Sequence, residues 1–141
     1  EADLLINWLP GQMARGEILA QRCGARAGFL GAWIEDKDSG QILIMQGQRL
    51  NLNVHAIDSK LTAAGKDGRA VSVSGYVTQD MVKITQEAYD KVTIYKGRSK
   101  NHLLDQATTY RMGRGTPNDE DELFDTLCYG IAITLGNIDG F

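Results

Sequence analysis

The chain is poor in the residues that usually announce chemistry. Cys23 and Cys128 are its two cysteines, and His55 and His102 its two histidines. No Cys-x-x-Cys or His-x-x-x-His spacing occurs. Zinc sites draw ligands in pairs a few residues apart, so no metal and no other cofactor is expected. Gly-x-Ser-x-Gly, a phosphate-binding loop and a dinucleotide fingerprint are all missing, which points away from an enzyme. No apolar run approaches the roughly 18 residues of a membrane helix, so no membrane span is expected. Positive charge is also short: 15 Lys and Arg stand against 18 Asp and Glu, a formal charge of -3. Nucleic acid would therefore have to be met by a local patch, because no overall basic field exists. Internal repeats and low-complexity tracts are absent.

What is present fits one globular domain. At 141 residues, 43% hydrophobic and 23% charged, the chain is long enough to bury a core without staples. It divides into a helical arm (1–27), a β core (28–97) and a helical C-terminal part (98–141). Leu4, Leu5, Trp8 and Leu9 recur at helical spacing until Pro10-Gly11, and a second helix runs from Gln12 to Arg22 with Gly24 as its stop. Arg15, Arg22 and Arg26 form either a basic ridge or an ordinary solvated face. Cys23 and Cys128 are either a disulfide or two free thiols.

In the core, Leu50, Leu52, Val54 and Ala56 alternate with Arg49, Asn51, Asn53 and His55, the period of a half-buried strand. Phe29 to Ile34 and Ile42 to Met45 read as a pair joined by the polar reversal at 35–40, with Gly47 marking a bulge or bend. Asp58 or Ser59 caps a short helix reaching Ala64. Val71, Val73 and Val77 then oppose Ser72, Ser74 and Tyr76; Val82 and Ile84 continue, and Lys91 to Tyr95 forms a last strand. Past it, 97–100 is a basic loop, and Ser99 or Asn101 caps a helix carrying Leu103, Leu104, Ala107 and Tyr110. Arg98, Lys100, Arg111 and Arg114 make this the most basic region of an acidic chain. Thr116-Pro117 followed by Asn118 to Glu122 is the clearest helix start, and Leu123, Phe124, Leu127, Cys128, Ile131 and Leu135 follow at helical spacing towards Gly136-Asn137. Gly130 and the β-branched run after it leave a strand at 129–135 open.

The order of these elements, with Gly68-Arg69-Ala70-Val71-Ser72-Val73-Ser74-Gly75-Tyr76-Val77 after a helical crossover, resembles small OB-type barrels over about 55 residues. The resemblance implies an α+β fold: a small, OB-like, curled antiparallel β-barrel flanked by N- and C-terminal helices, with a ligand-binding barrel face. Asp36, Asp38 and Asp58 are also similar in placement to the calcium ligands of staphylococcal-type nucleases, which share that barrel. This sequence departs from them: no arginine stands on the strand before Asp58, and no carboxylate follows it, so in-line phosphoryl chemistry would lack its clamp.

The expected activity is therefore docking: Arg49, Asn51, Asn53 and His55 on one strand, with Tyr76, Lys83 and Tyr95 beside it, are the expected ligand-binding residues. A protein partner or a single-stranded nucleic acid would occupy that face. A structural role in a larger assembly, including a homo-oligomer through the apolar Leu4-Leu5-Trp8 arm, and a calcium-dependent nuclease are the alternatives. The expected setting is soluble; a start at Glu1 suits a processed secreted or periplasmic chain, and the compartment stays open.

Overall fold

The structure, a computed structural model, describes residues 2–113 and 120–136. Among these residues there are seven helices and four three-residue strands, paired as two separate two-stranded sheets. The expected OB-like barrel is overturned: neither sheet closes, and half of the residues assigned to its β core are helical. The chain packs as two compact units, Glu1–Thr62 and Ala63–Phe141.

In the first unit, α1 (Ala2–Arg22) continues through Pro10 as one helix, where two had been expected. Proline costs a helix one ladder hydrogen bond and crowds the preceding turn, but its own φ is helical. The helix holds around it by packing: Leu9 is buried, and the ring of Phe29 lies so close to Gly16 that a Cβ there would stand 2.4 Å from it. β1 (Ala32–Ile34) and β2 (Val54–Ala56) run parallel, with Trp33 opposite His55. Parallel strands need a long crossover, and α2 (Ser39–Arg49) supplies it.

The supposed strand at Ile42 to Met45 lies inside α2. Ile44 and Gly47 are buried while Ile42 and Met45 are exposed, so burial follows the helical step of three to four. Gly47 is neither bulge nor bend: a Cβ on it would stand 2.9 Å from Val54, so its bareness lets β2 lie against the helix. Nor is 49–56 one strand. Arg49 ends α2, Asn51 turns the chain with φ 56, and extended pairing starts only at Val54.

α3 (Ser59–Ala63), with which the first unit ends, is the expected short helix, the Asp58 carboxylate accepting from the Lys60 N–H at 2.8 Å, and the second unit follows it. α4 (Gly65–Thr78) replaces the predicted valine strand. Val73 is buried, but Val71 and Val77 are more than half exposed, and the other buried residue of the helix is Arg69, four positions before Val73. After α5 (Gln86–Asp90) come β3 (Thr93–Tyr95) and β4 (Arg98–Lys100), an antiparallel ribbon. Lys96 and Gly97 join the strands at φ 49 and 73, the mirror-image turn that suits strand twist. No strand forms at 82–84, and the expected basic loop at 97–100 is mostly β4.

α6 (His102–Thr109) is capped by Asn101, whose side-chain oxygen accepts from the Leu104 N–H at 3.1 Å. α7 (Glu122–Leu135) is helical through 129–135 and packs on α4 and α6, burying Cys128, Tyr129, Ile131 and Ala132. The expected start at Thr116-Pro117 lies outside the described residues, as does Asn137. Both cysteines are free, Cys23 exposed and Cys128 buried. Among the described residues no helix is long and apolar enough to cross a membrane.

Candidate functional site

The second unit carries a polar cleft of about 600 Å³ beneath its β-ribbon. Its walls come from the start of α4 (Lys66, Asp67), from β4 (Arg98, Lys100), from α6 and the residues after it (Asp105, Thr109, Tyr110, Arg111), and from Glu120 and Asp121 ahead of α7. Each helix brings its polar turn here because its apolar positions are spent on the α4–α7 and α6–α7 contacts.

The ribbon is fastened to the body by its neighbours in sequence. His102 is 5% exposed, and its Nε2 lies 3.1 Å from the carbonyls of both Thr93 and Arg98. Two acceptors on one ring nitrogen require that nitrogen to carry the hydrogen. Tyr95 meets the same imidazole at right angles, centroids 5.7 Å apart. Asn101 donates to the carbonyls of Ala88 and Tyr89, tying α5 to the root of the ribbon.

Charges across the cleft are largely matched. Lys66 donates to Asp121, Lys100 pairs with Asp105, and Lys96 lies 3.2 Å from Glu120. The Asp121 carboxylate raises the Lys66 ammonium above its ordinary pKa, and the Lys96–Glu120 contact raises the lysine and lowers the acid. Asp67 accepts from the Tyr110 hydroxyl and from the Gly113 N–H at 3.0 Å; those two bonds, the hydroxyl first, hold its carboxyl below the usual range. Burial, and then the Asp67 carboxylate, push the Tyr110 phenol up. Among the described residues Lys91 and Arg98 have no ion-pair partner.

Behind the cleft, Arg69 reaches Asp125 with two hydrogen bonds, Nε to Oδ1 at 2.8 Å and Nη2 to Oδ2 at 2.9 Å, and its guanidinium lies 4.2 Å from the Tyr129 ring centre. Buried Gln106 accepts from the backbone N–H groups of Leu123 (2.8 Å) and Phe124 (3.1 Å), capping α7 from a neighbouring helix. Asp121 makes no side-chain cap bond of its own.

The expected ligand-binding residues do not form one strand face. Arg49, Asn51, Asn53 and His55 belong to the first unit, at a helix end, a turn, a loop and a strand. Asn53 donates to the Leu30 carbonyl at 2.9 Å, and His55 stacks on Trp33 at 4.7 Å. In the second unit Tyr76 is on α4, Lys83 pairs with Asp80 in the loop before α5, and Tyr95 is on the ribbon. Of the basic residues singled out in sequence, Arg98, Lys100 and Arg111 do line one cleft, while Arg114 lies outside the described residues. Sequence reasoning missed Asp67, Arg69, Gln106 and Asp125, whose partners lie 17 to 56 residues away.

The calcium-nuclease resemblance loses its frame with the barrel. Asp36 and Asp38 sit in the β1–α2 connection, Asp58 serves the start of α3, and no group of three metal-binding side chains occurs among the described residues. No protein-family model matches the chain, and no curated protein or solved structure is significantly similar to it.

Proposed function

We propose that the protein is a binding module that docks a nucleic acid through the β3–β4 ribbon and the mouth of the cleft beside it. One observation carries this reading. From Lys91 to Leu104 the chain holds four cations and no carboxylate, in a protein whose overall charge is negative, and it is this stretch that folds into an exposed ribbon. Among the described residues Lys91 makes no ion pair, and Arg98 makes none directly though its charge helps to lower the Glu120 carboxyl, so both can turn to phosphates. Lys96 and Lys100 are held by partly exposed carboxylates, and pairs open to water are worth only about 0 to 1 kcal/mol, so phosphate oxygens can displace Glu120 and Asp105. The fastening by His102 and Asn101 presets the ribbon, which lowers the ordering cost of binding.

Fluorescence anisotropy with labelled DNA over a salt series tests the reading. Affinity is expected to fall steeply with salt, and the log–log slope to lose about 0.9 for each phosphate contact removed. Lys96→Asn removes a cation and keeps a turn residue that tolerates positive φ; with Arg98→Gln it should shallow the slope by close to two contacts. Binding that ignores salt, or a slope unmoved by the double variant, would point to a protein partner.

A further inference from the structure

α1 carries two apolar stripes, and the first unit uses one of them. Leu5, Leu9, Met13 and Gly16 lie on its inner side, where Leu9 is buried. On the outer side Leu4, Trp8, Gly11, Arg15, Ile18 and Arg22 follow one another at alternating steps of four and three, and all six are exposed. That spacing draws a straight seam down a helix, the pattern by which two helices pair side by side. Leu4, Trp8 and Ile18 are each more than half exposed, and half-exposed Leu19 flanks them. Asn7, Glu17 and Gln21, exposed too, lie off this line, so the outward apolar residues are gathered and not scattered.

We infer that the seam docks a second copy of the chain, the two α1 helices running antiparallel about a two-fold axis midway between Gly11 and Arg15. In that register, which overlaps the helix almost end to end, the seam is its own complement. Trp8 meets Ile18 of the second copy, Leu4 meets the stem of Arg22, and the long Arg15 side chain meets Gly11, where there is no side chain to crowd it. Arg15 then also stands about one turn from the Trp8 ring of the second copy, within reach of a cation–π contact. Every pairing occurs twice. Parallel copies would instead set Arg15 against Arg15 inside the seam, and like charges brought together out of water oppose association. The sequence of α1 also runs from acidic, at Asp3, to basic, at Arg22, an order that antiparallel copies complement. Gly11 supports the same arrangement. A Cβ on it would find nothing within 4 Å, whereas one on Gly16 would strike Phe29, so the fold itself gives no use to a glycine that weakens the middle of the helix.

Sedimentation equilibrium on the full chain tests the proposal. A dimer that dissociates on dilution is expected, because a seam one helix wide is a small interface. Trp8→Gln takes an anchor from each copy and should raise the dissociation constant at least about thirtyfold with the circular dichroism spectrum unchanged. Direction is read by cross-linking, with Cys23→Ser as the parent. Under mild oxidation, chains carrying Leu4→Cys and chains carrying Arg22→Cys should join when mixed, while Leu4→Cys chains alone should not, their two sites lying about 27 Å apart. A chain that stays monomeric at about 1 mM, or a dimer indifferent to Trp8→Gln, would overturn the proposal and leave the seam to an unrelated partner. Leu4→Cys joining to itself, or no product in the mixture, would overturn the antiparallel arrangement.

Discussion

Replacing Arg69 tests the packing on which the cleft depends. The side chain is 5% exposed and its Asp125 partner 15%, so both ends of the ion pair are largely out of water. Arg69→Met keeps the stem and discards the charge. The loss comprises two charge-assisted hydrogen bonds, the contact with Tyr129 and, largest, the cost of leaving the Asp125 carboxylate without the guanidinium. Breaking a buried pair from one side costs about 3 to 5 kcal/mol. Asp125 lies in the first turn of α7, where the helix dipole favours a negative charge, so the lower end, about 3 kcal/mol, is expected. Adding Asp125→Leu removes the stranded charge and should bring stability back to within about 1 kcal/mol of the parent, because apolar replacements of buried pairs are often neutral. The measurement is denaturant unfolding of all four proteins followed by far-ultraviolet circular dichroism. Tryptophan fluorescence will not serve, since Trp8 and Trp33 both belong to the first unit. A single variant costing less than about 1 kcal/mol, or a double variant as unstable as the single, would refute the reasoning.

Two further outcomes follow from the same unit. Gln106→Leu strands two N–H groups at the head of α7 and should cost about 2 kcal/mol, while Gln106→Glu, which keeps the acceptor, should cost clearly less; unfolding midpoints at constant m compare them. Burial pushes the Cys128 thiol up to about 11, and the Asp125 carboxylate adds to the shift. The folded chain thus holds that proton more tightly than the unfolded one, so its contribution to stability is intact below about pH 9 and is lost as pH rises towards 11. Alkylation read by intact mass should label exposed Cys23 in the native protein and Cys128 only after denaturant; equal labelling of both would contradict the burial.

The parts of this fold that could be read in sequence are those whose cause is local. Asn101 caps α6 because its own side chain reaches the Leu104 N–H three residues on, and the spacing of Phe124, Leu127, Cys128 and Ile131 admits one buried helical stripe. The cation-rich stretch 91–104 was visible in part as a basic region because charge composition needs no partner to be counted. Elsewhere the same letters support two readings. A step of four is common to both periods, so Arg69, Val73 and Val77 suit one strand face as well as neighbouring turns of a helix; only Val71, exposed on α4, separates the two. Alternation reads as strand here, and the valines' β-branching favours one too, but propensity is worth a fraction of a kcal/mol per residue and yields to the burial gained by packing α4 on α7. In 49–56 the alternation runs across a helix end, a left-handed turn and a strand, so its regularity is accidental. The site follows the same rule. Asp67 with Tyr110 and Arg69 with Asp125 close over 43 and 56 residues, and neither acid differs in sequence from its solvated neighbours. What distinguishes them is the partner that folding supplies, and for that reason the Arg69–Asp125 cycle probes the architecture where sequence alone had least to say.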